Sequence, residues 1–351
     1  MAEQLLLLIE FLSVFLIMVW LTIGFSLIYR KRRLKQLLKI EVTFAEEIGK
    51  FLYPSEGKDY HFLKVQRALQ KAGAKPSKKG NIQYLIDLMI RAQRSMLGEN
   101  YSRLQVLFSQ IPPYRASLSK LNSRKWYIKA RGIREIYEME QVQYIKEITR
   151  ERNNPNIFVR REAQIAMVVF LGWESLRFLP YLKREMTLWQ QIKIVEKLFA
   201  HYPEAQIKYL QKSYATQRPY AQELLMRIIR KFNLFTEVGY IISFLDHKDF
   251  DRRETAIYCI KSFRLTGEQL EEVKSKLFKI DNTEQQVQLL RYVQQVSGTP
   301  DLEFYKKILK SKNDILELSA AEILWNSGYE QLVHEFYYSQ YATGVALKEV
   351  I

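Results

Sequence analysis

Cysteine is almost absent from this chain, with Cys259 alone among 351 residues. One thiol excludes a disulfide framework within the chain, and no Cys/His group has the spacing of a zinc site. Cys259 reads as a small buried apolar residue. Glycine (13) and proline (9) are scarce too, and so few punctuators favour helices joined by short turns. The four histidines, His61, His201, His247 and His334, are far apart and share no motif. HYPE at His201 lacks the second histidine of a zinc-protease helix, and no nucleophile elbow, ordered P-loop or dinucleotide fingerprint occurs. Acidic pairs such as Glu271–Glu272 read as solvated helix surface. We therefore expect no enzyme activity, no catalytic or metal residues, no cofactor and no small-molecule substrate.

Long apolar runs are missing as well, with one exception. Residues 5–28, LLLLIEFLSVFLIMVWLTIGFSLI, span 24 positions with Glu10 as the only charge. As a helix this is about 36 Å, enough to cross a ~30 Å hydrocarbon core with some tilt. No basic region precedes the run and no A-x-A site follows it, so an uncleaved anchor is expected rather than a signal peptide. Ser13, Thr22 and Gly24 are tolerable there and could face another membrane helix. Next comes YRKRRLKQLLK, with six Lys and Arg between Arg30 and Lys39 and no acid, whereas the leading MAEQ has neither Lys nor Arg. The positive-inside rule then predicts a single-pass protein with its N-terminus outside and its remainder in the cytoplasm. Arg30, Lys31, Arg32 and Arg33 form a candidate collar for anionic lipid.

The net charge of +16 is uneven. From Thr266 onward there are 9 Lys and Arg against 13 Asp and Glu, a balance of −4 that leaves +20 for the preceding 265 residues. Such a basic region suits anionic lipid, nucleic acid or an acidic partner, and charge alone does not choose among them.

Beyond the collar the apolar periodicity is helical. Leu34, Leu37, Leu38, Val42, Ala45, Ile48 and Leu52 recur at three- and four-residue steps, and YPSEGKD breaks the pattern. Helices are expected over residues 61–72, 82–97 and 101–108. A basic loop, GAKPSKKGN, is punctuated by Gly73, Pro76 and Gly80 and reads as a solvated linker, and IPPY at residues 111–114 reads as a stop.

The segment IFVRREAQIAMVVFLGW, residues 157–173, is apolar enough to suggest a second span until its register is noticed elsewhere. Ala163, Ala166 and Phe170 share a helix face. The same three-point pattern falls on Ala130-Ile133-Tyr137, Ile192-Val195-Phe199, Leu225-Ile228-Phe232, Ala256-Cys259-Phe263, Gln286-Leu289-Val293 and Leu318-Ala321-Trp325, with Gln286 the polar misfit. The final positions step by 33, 29, 33, 31, 30 and 32 residues. Each step also holds a second helical pattern, from VQYIKEITR and ESLRFLPYLKRE to LEFYKKILK. Thr266 with Gln269 reads as a capping box, Thr299-Pro300 as a cap with proline at the first helical position, and Gly298 and Gly328 as left-handed stops. Two helices of about a dozen residues per unit cannot bury their faces alone, but stacked units share one core.

FVRREAQIAMVVFLG resembles the second helix of a HEAT-like (armadillo-type) repeat, through Asn156, Val159-Arg160, Ala163 and Met167. Phe250 to Arg253 with Ala256 is a looser copy, and Asn313-Asp314 with Leu318 and Ala321 a third without the arginine. The resemblance covers roughly residues 120–340 and implies an all-α protein: a transmembrane helix, then an α-solenoid of HEAT-like helix pairs. The expected division is an anchor at 1–29, a basic juxtamembrane and helical linker region at 30–118, the repeats at 119–340 and a tail at 341–351. On that analogy the second helices line a concave side, which makes Arg160, Lys193, Lys197, Arg227, Arg230 and Arg252 candidate partner-binding residues. The function expected is a scaffold or adaptor at a bacterial inner membrane that docks a membrane-associated protein partner. The analogy extends to an accessory subunit of a membrane enzyme or export complex. Nucleic-acid binding along the same basic residues is the less favoured alternative.

Overall fold

The structure, a computed structural model, describes residues 2–53, 61–96 and 98–342, with side chains from residue 11 to 338 within those ranges. Most of the YPSEGKD break, Leu97 and most of the 341–351 tail lie outside the described residues. Among the described residues every regular element is helical. The chain divides into two compact units, Met1–Phe170 and Leu171–Ile351.

The first unit begins with α1 (Ala2–Leu52), a single 51-residue helix. No proline interrupts it, so the apolar run and the helix after it are one rod of about 77 Å. From Phe11 its most apolar stretch has a mean hydropathy of 2.4 and is not buried at all, and it is the one described helix long and apolar enough to cross a membrane. The second half of α1 packs differently. Ile40, Phe44, Ile48 and Leu52 are buried at strict four-residue steps, whereas Leu34 and Leu38 are 66% and 60% exposed and Val42 and Ala45 also face outward. The expected helix is present, but Leu34, Leu38, Val42 and Ala45 do not belong to its buried stripe. Two apolar stripes share this rod, and only the neighbours it meets choose between them.

Those neighbours are α2 (Phe62–Ala72), α3 (Lys79–Arg94) and α4 (Glu99–Gln110). Val65, Leu69, Ile82, Leu85, Ile86, Met89, Leu104 and Phe108 close a core over the buried stripe of α1. The basic loop is shorter than its composition predicts, because α3 takes in Lys79 and Gly80. Ile111 ends α4 and also opens α5 (Pro112–Leu121), with proline at the first helical position. IPPY is thus a junction between two helices, since the ring that cannot continue one helix is preorganised to begin the next.

Next, α5 packs on α6 (Trp126–Glu138) at very close range. A methyl group on Gly132 would lie 2.7 Å from the Leu121 backbone nitrogen and 2.7 Å from Lys120 Cβ, so the crossing tolerates no side chain there. A short α7 (Ile145–Arg150) leads to α8 (Ile157–Leu171), the expected repeat helix. Val159, Ala163, Ala166, Met167 and Phe170 are buried inside the protein. The Asn156 side chain caps α8 by accepting from the Phe158 and Val159 nitrogens at 3.0 and 3.3 Å.

The second unit holds a run of 3-10 turns at Gly172–Tyr181, then α9 (Leu188–His201), α10 (Ile207–Ser213), α11 (Pro219–Lys231), α12 (Val238–Ile242), α13 (Phe250–Ile260), α14 (Gly267–Leu277), α15 (Thr283–Ser297), α16 (Leu302–Leu309), α17 (Asp314–Asn326) and α18 (Glu330–Ala342). Every stretch marked by the repeated register begins in a helix, but Phe232 and Phe263 fall just past the ends of α11 and α13; α11 packs on α9 and α13 while α15 packs on α13 and α17. The intervening elements are shorter than expected: α12 has five residues, and ESLRFLPYLKRE forms 3-10 turns around Pro180. Proline withholds a donor and crowds the preceding turn, which disfavours a regular α-helix.

Local signals hold in most places. Thr266 and Gln269 form both bonds of a capping box, and Gly298 and Gly328 have φ of 70° and 86°. Thr299-Pro300 does not open a helix. Asp301 caps α16 instead, accepting from the Phe304 nitrogen at 3.4 Å, a role its carboxylate fills better than the Thr299 hydroxyl.

Candidate functional site

Most of the arginines singled out as partner-binding residues are engaged within the chain. Arg160 is buried, and its Nη1 donates to the Asn154 carbonyl at 2.7 Å, six residues back. Arg253 makes the same bond to the His247 carbonyl at 2.8 Å, and Gln222 reaches the Thr216 carbonyl at 3.0 Å, again six residues back. These three residues lie three positions before Ala163, Ala256 and Leu225, the first points of the repeated register.

Other side chains tie one marked helix to the next. Arg227 donates to Gln191 Oε1 at 3.0 Å on α9 and to Thr255 Oγ1 at 3.1 Å on α13. Arg230 reaches Ser262 Oγ at 2.7 Å and covers the Tyr258 ring at 4.0 Å. Arg252 donates to Gln222 Oε1 at 2.9 Å. Lys193 pairs with Glu196 at 2.7 Å on its own helix and lies over the Trp189 ring. Lys197 is half-buried on the same helix.

The collar divides. Arg30, Lys31 and Arg32 are exposed on α1, while Arg33 is half-buried and donates to Asn81 Oδ1 at 2.5 Å. Cys259 is buried in the second unit, and burial pushes its thiol up to about 12, which leaves it unreactive. Among the described residues no three of His, Cys, Asp and Glu gather as metal ligands.

A different constellation stands out in the first unit. Helices α3, α5, α6 and α8 border an open cleft of about 1290 Å³. Its walls carry Lys79, Arg115, Lys120, Arg131, Arg134 and Arg161, with Glu162 as the only acid among the described residues that line it. Trp126 and Phe158, 46% and 42% exposed, stack with centroids 5.0 Å apart and planes inclined by 19°. Tyr127 lies edge-on to Trp126, and the Arg161 guanidinium lies over Phe158 at 5.4 Å. The result is a partly exposed aromatic cluster bordered by cations.

Two buried carboxylates hold the cations in place. Glu135 accepts from Lys120 Nζ and Ser117 Oγ, each at 2.6 Å, and from Gln83 Nε2 at 2.9 Å. Burial pulls the Lys120 ammonium below its ordinary value even though Glu135 works in the opposite direction. Glu162 accepts from Arg134 at 3.1 Å, Arg161 at 2.9 Å and Tyr137 at 2.9 Å. Burial raises this carboxyl, but these three donors outweigh burial and hold it below the usual carboxylate range. Glu162 therefore stays ionised and orients two guanidinium groups along the cleft wall. Lys79 and Arg115 have no ion-pair partner among the described residues, so the lining keeps an excess of positive charge.

The cleft can grip a chain that is both acidic and flat-sided, by charge-assisted bonds to guanidinium and by packing on an aromatic platform. Its volume and open form suit an extended segment better than a small enclosed ligand. The sequence carried a sign of it in KWYIKAR at residues 125–131, where aromatics interleave with basic residues. Pairing Trp126 with Phe158, 32 positions later, depends on how α6 and α8 pack. No protein-family model matches the chain, and comparison with curated proteins finds no match.

Proposed function

We propose that this chain is a single-pass membrane scaffold that docks an acidic segment of a protein partner in the cleft between α3, α5, α6 and α8. The observation that carries this reading is the stacked, exposed Trp126–Phe158 pair inside a ring of cations whose charge exceeds that of the neighbouring carboxylates. Exposed aromatics flanked by arginine are what interface anchors look like, since they bring large contact area at low entropic cost. In this reading α1 crosses the inner membrane with its N-terminus outside, and the arginine and lysine run after it faces the cytoplasm. Tethering at the bilayer raises the effective concentration of the cleft for a membrane partner.

The helices from about residue 120 onward are read as HEAT-like pairs. The bonds of Arg160, Gln222 and Arg253 to a carbonyl six residues back support this, as does the packing of α11 and α15 on their marked neighbours. Nucleic-acid binding along the second unit is less favoured, because Arg227, Arg230 and Arg252 already spend donors on adjacent helices.

The test is gentle detergent extraction of the full-length protein followed by mass spectrometry of whatever co-purifies at a fixed ratio. Trp126→Ala and Arg115→Glu should each release that partner, and Lys193→Gln should not. A solitary full-length protein whose second unit binds duplex DNA with a steep salt dependence would overturn the proposal.

A further inference from the structure

The α2–α3 turn was expected to be a solvated linker, yet it is fastened to α1 just beyond the apolar segment. Gly73 ends α2 with φ of 111°, and its carbonyl accepts from Asn81 Nδ2 at 2.8 Å. Asn81 Oδ1 in turn receives Arg33 Nη1 at 2.5 Å. Gly80 lies so close to the Arg33 guanidinium that a Cβ there would be 2.8 Å from Nη2, and one on Gly73 would be 2.7 Å from Gln36 Nε2. Both ends of the turn are therefore pinned at the level of Arg33 and Gln36. One turn further along α3, Tyr84 donates to Glu41 at 2.6 Å, so α3 climbs α1 away from the apolar end.

These anchor points set a distance. Arg33 is five residues beyond Ile28, the last residue of the apolar run, and Gln36 is eight. At 1.5 Å per residue the turn is held about 7–12 Å from the end of the apolar run, within or at the edge of the headgroup layer of a bilayer. Lys75, Lys78 and Lys79 are exposed on the turn, and Arg30, Lys31, Arg32, Lys35 and Lys39 are exposed on α1. Neither residues 29–40 nor residues 73–86 contain an acid.

We infer that the α2–α3 turn is a second lipid-binding element, in which Lys75, Lys78 and Lys79 join the α1 collar as one surface for anionic phospholipid headgroups. Arg33 acts here as a clamp that holds the turn at the bilayer, while its three neighbours on α1 are free to meet lipid. The inference rests on the reading that α1 crosses the membrane. Two contact points on separate helices also fix the rotation of the first unit about α1, which a collar on one helix cannot do. Lys79 also lines the cleft, so that part of its wall is thereby held next to the bilayer surface.

The experiment uses the full-length protein in vesicles of phosphatidylcholine alone or mixed with phosphatidylglycerol. Ser77→Cys carries a fluorophore, since the native Cys259 is buried. Quenching by a headgroup-labelled lipid should rise several-fold in the anionic vesicles and fall back to the neutral-vesicle level in high salt. Each lysine is expected to contribute about fivefold to headgroup association, so a Lys75→Gln, Lys78→Gln, Lys79→Gln variant should weaken it by up to a hundredfold. Equal quenching in both vesicles, or an unchanged triple variant, would overturn the inference. So would a response to inorganic phosphate in neutral vesicles, which would point to a soluble anion site. Resistance of the same samples to alkaline extraction reports the insertion of α1 separately. Loss of that resistance defeats the membrane reading itself, and its retention beside an insensitive probe defeats only the lipid role of the turn.

Discussion

Arginine is used differently in the two units. In the second, Arg227, Arg230, Arg252 and Arg253 reach sideways to the neighbouring helices and end on glutamine, threonine, serine or aspartate side chains. In the first, Arg131, Arg134 and Arg161 lie along a cleft, partly neutralised by Glu135 and Glu162 and facing an aromatic platform. Basic residues are thus structural ties between elements in one setting, and in the other they line a cleft that we propose binds a partner. The difference lies in the acceptors, which are mostly neutral side chains on neighbouring elements in the second unit and two shared buried carboxylates beside an aromatic pair in the first. Counting positive charges along a helix face does not separate the two uses.

The comparison is broken most severely by removing the close approach that creates the cleft. Gly132→Ala forces a methyl group into the α5 backbone and should cost about 3 kcal/mol, read as a lower denaturation midpoint with the cleft lost as well. Arg253→Met should cost about 2 kcal/mol in the second unit, because the His247 carbonyl and Gln285 lose their donor. Arg253→Lys should recover little of that, since an ammonium cannot span the His247 carbonyl, Gln285 and Asp281 as the guanidinium fork does. Trp126→Ala sharpens the contrast, with the fold losing about 1 kcal/mol or less while partner affinity falls about tenfold in a binding titration.

The smallest effect is electrostatic and lies in the second unit. Lys274 at 2.7 Å, together with the Phe304 backbone nitrogen, holds the Asp301 carboxyl below its ordinary value. A depressed carboxyl stabilises the fold above its unfolded value of 3.8 and loses that contribution as pH falls through the lower folded value. The thermal midpoint should therefore drop as pH is lowered through about 4 and below. Asp301→Asn keeps the helix cap, removes the ion pair and should flatten that slope by less than about 1 kcal/mol.

Much of the helical order was legible in residue spacing. The apolar run, the repeated three-point register, the Thr266 capping box and the stops at Gly298 and Gly328 all follow from interactions within a few residues of chain. Legibility failed where two local answers were equally good. On α1, the expected set included Leu34, Leu38 and Val42 and passed over Ile40 and Phe44, which lie on the face that α2 and α3 cover. At IPPY the same proline reads as an end and as a beginning. The cleft was hidden for a related reason, since Trp126 and Phe158 each look unremarkable alone and gain meaning only when stacked.

The sequence by itself determined that this is a helical protein with one segment fit to cross a membrane, because hydropathy and period are properties of the chain taken a few turns at a time. Tertiary structure alone decided which charges are spent. Arg33 is committed to Asn81 and Arg227 to Gln191 and Thr255, while Arg115 stays available in the cleft. A guanidinium finds its acceptor at a separation in space, and helices packed side by side bring together residues about thirty or more positions apart.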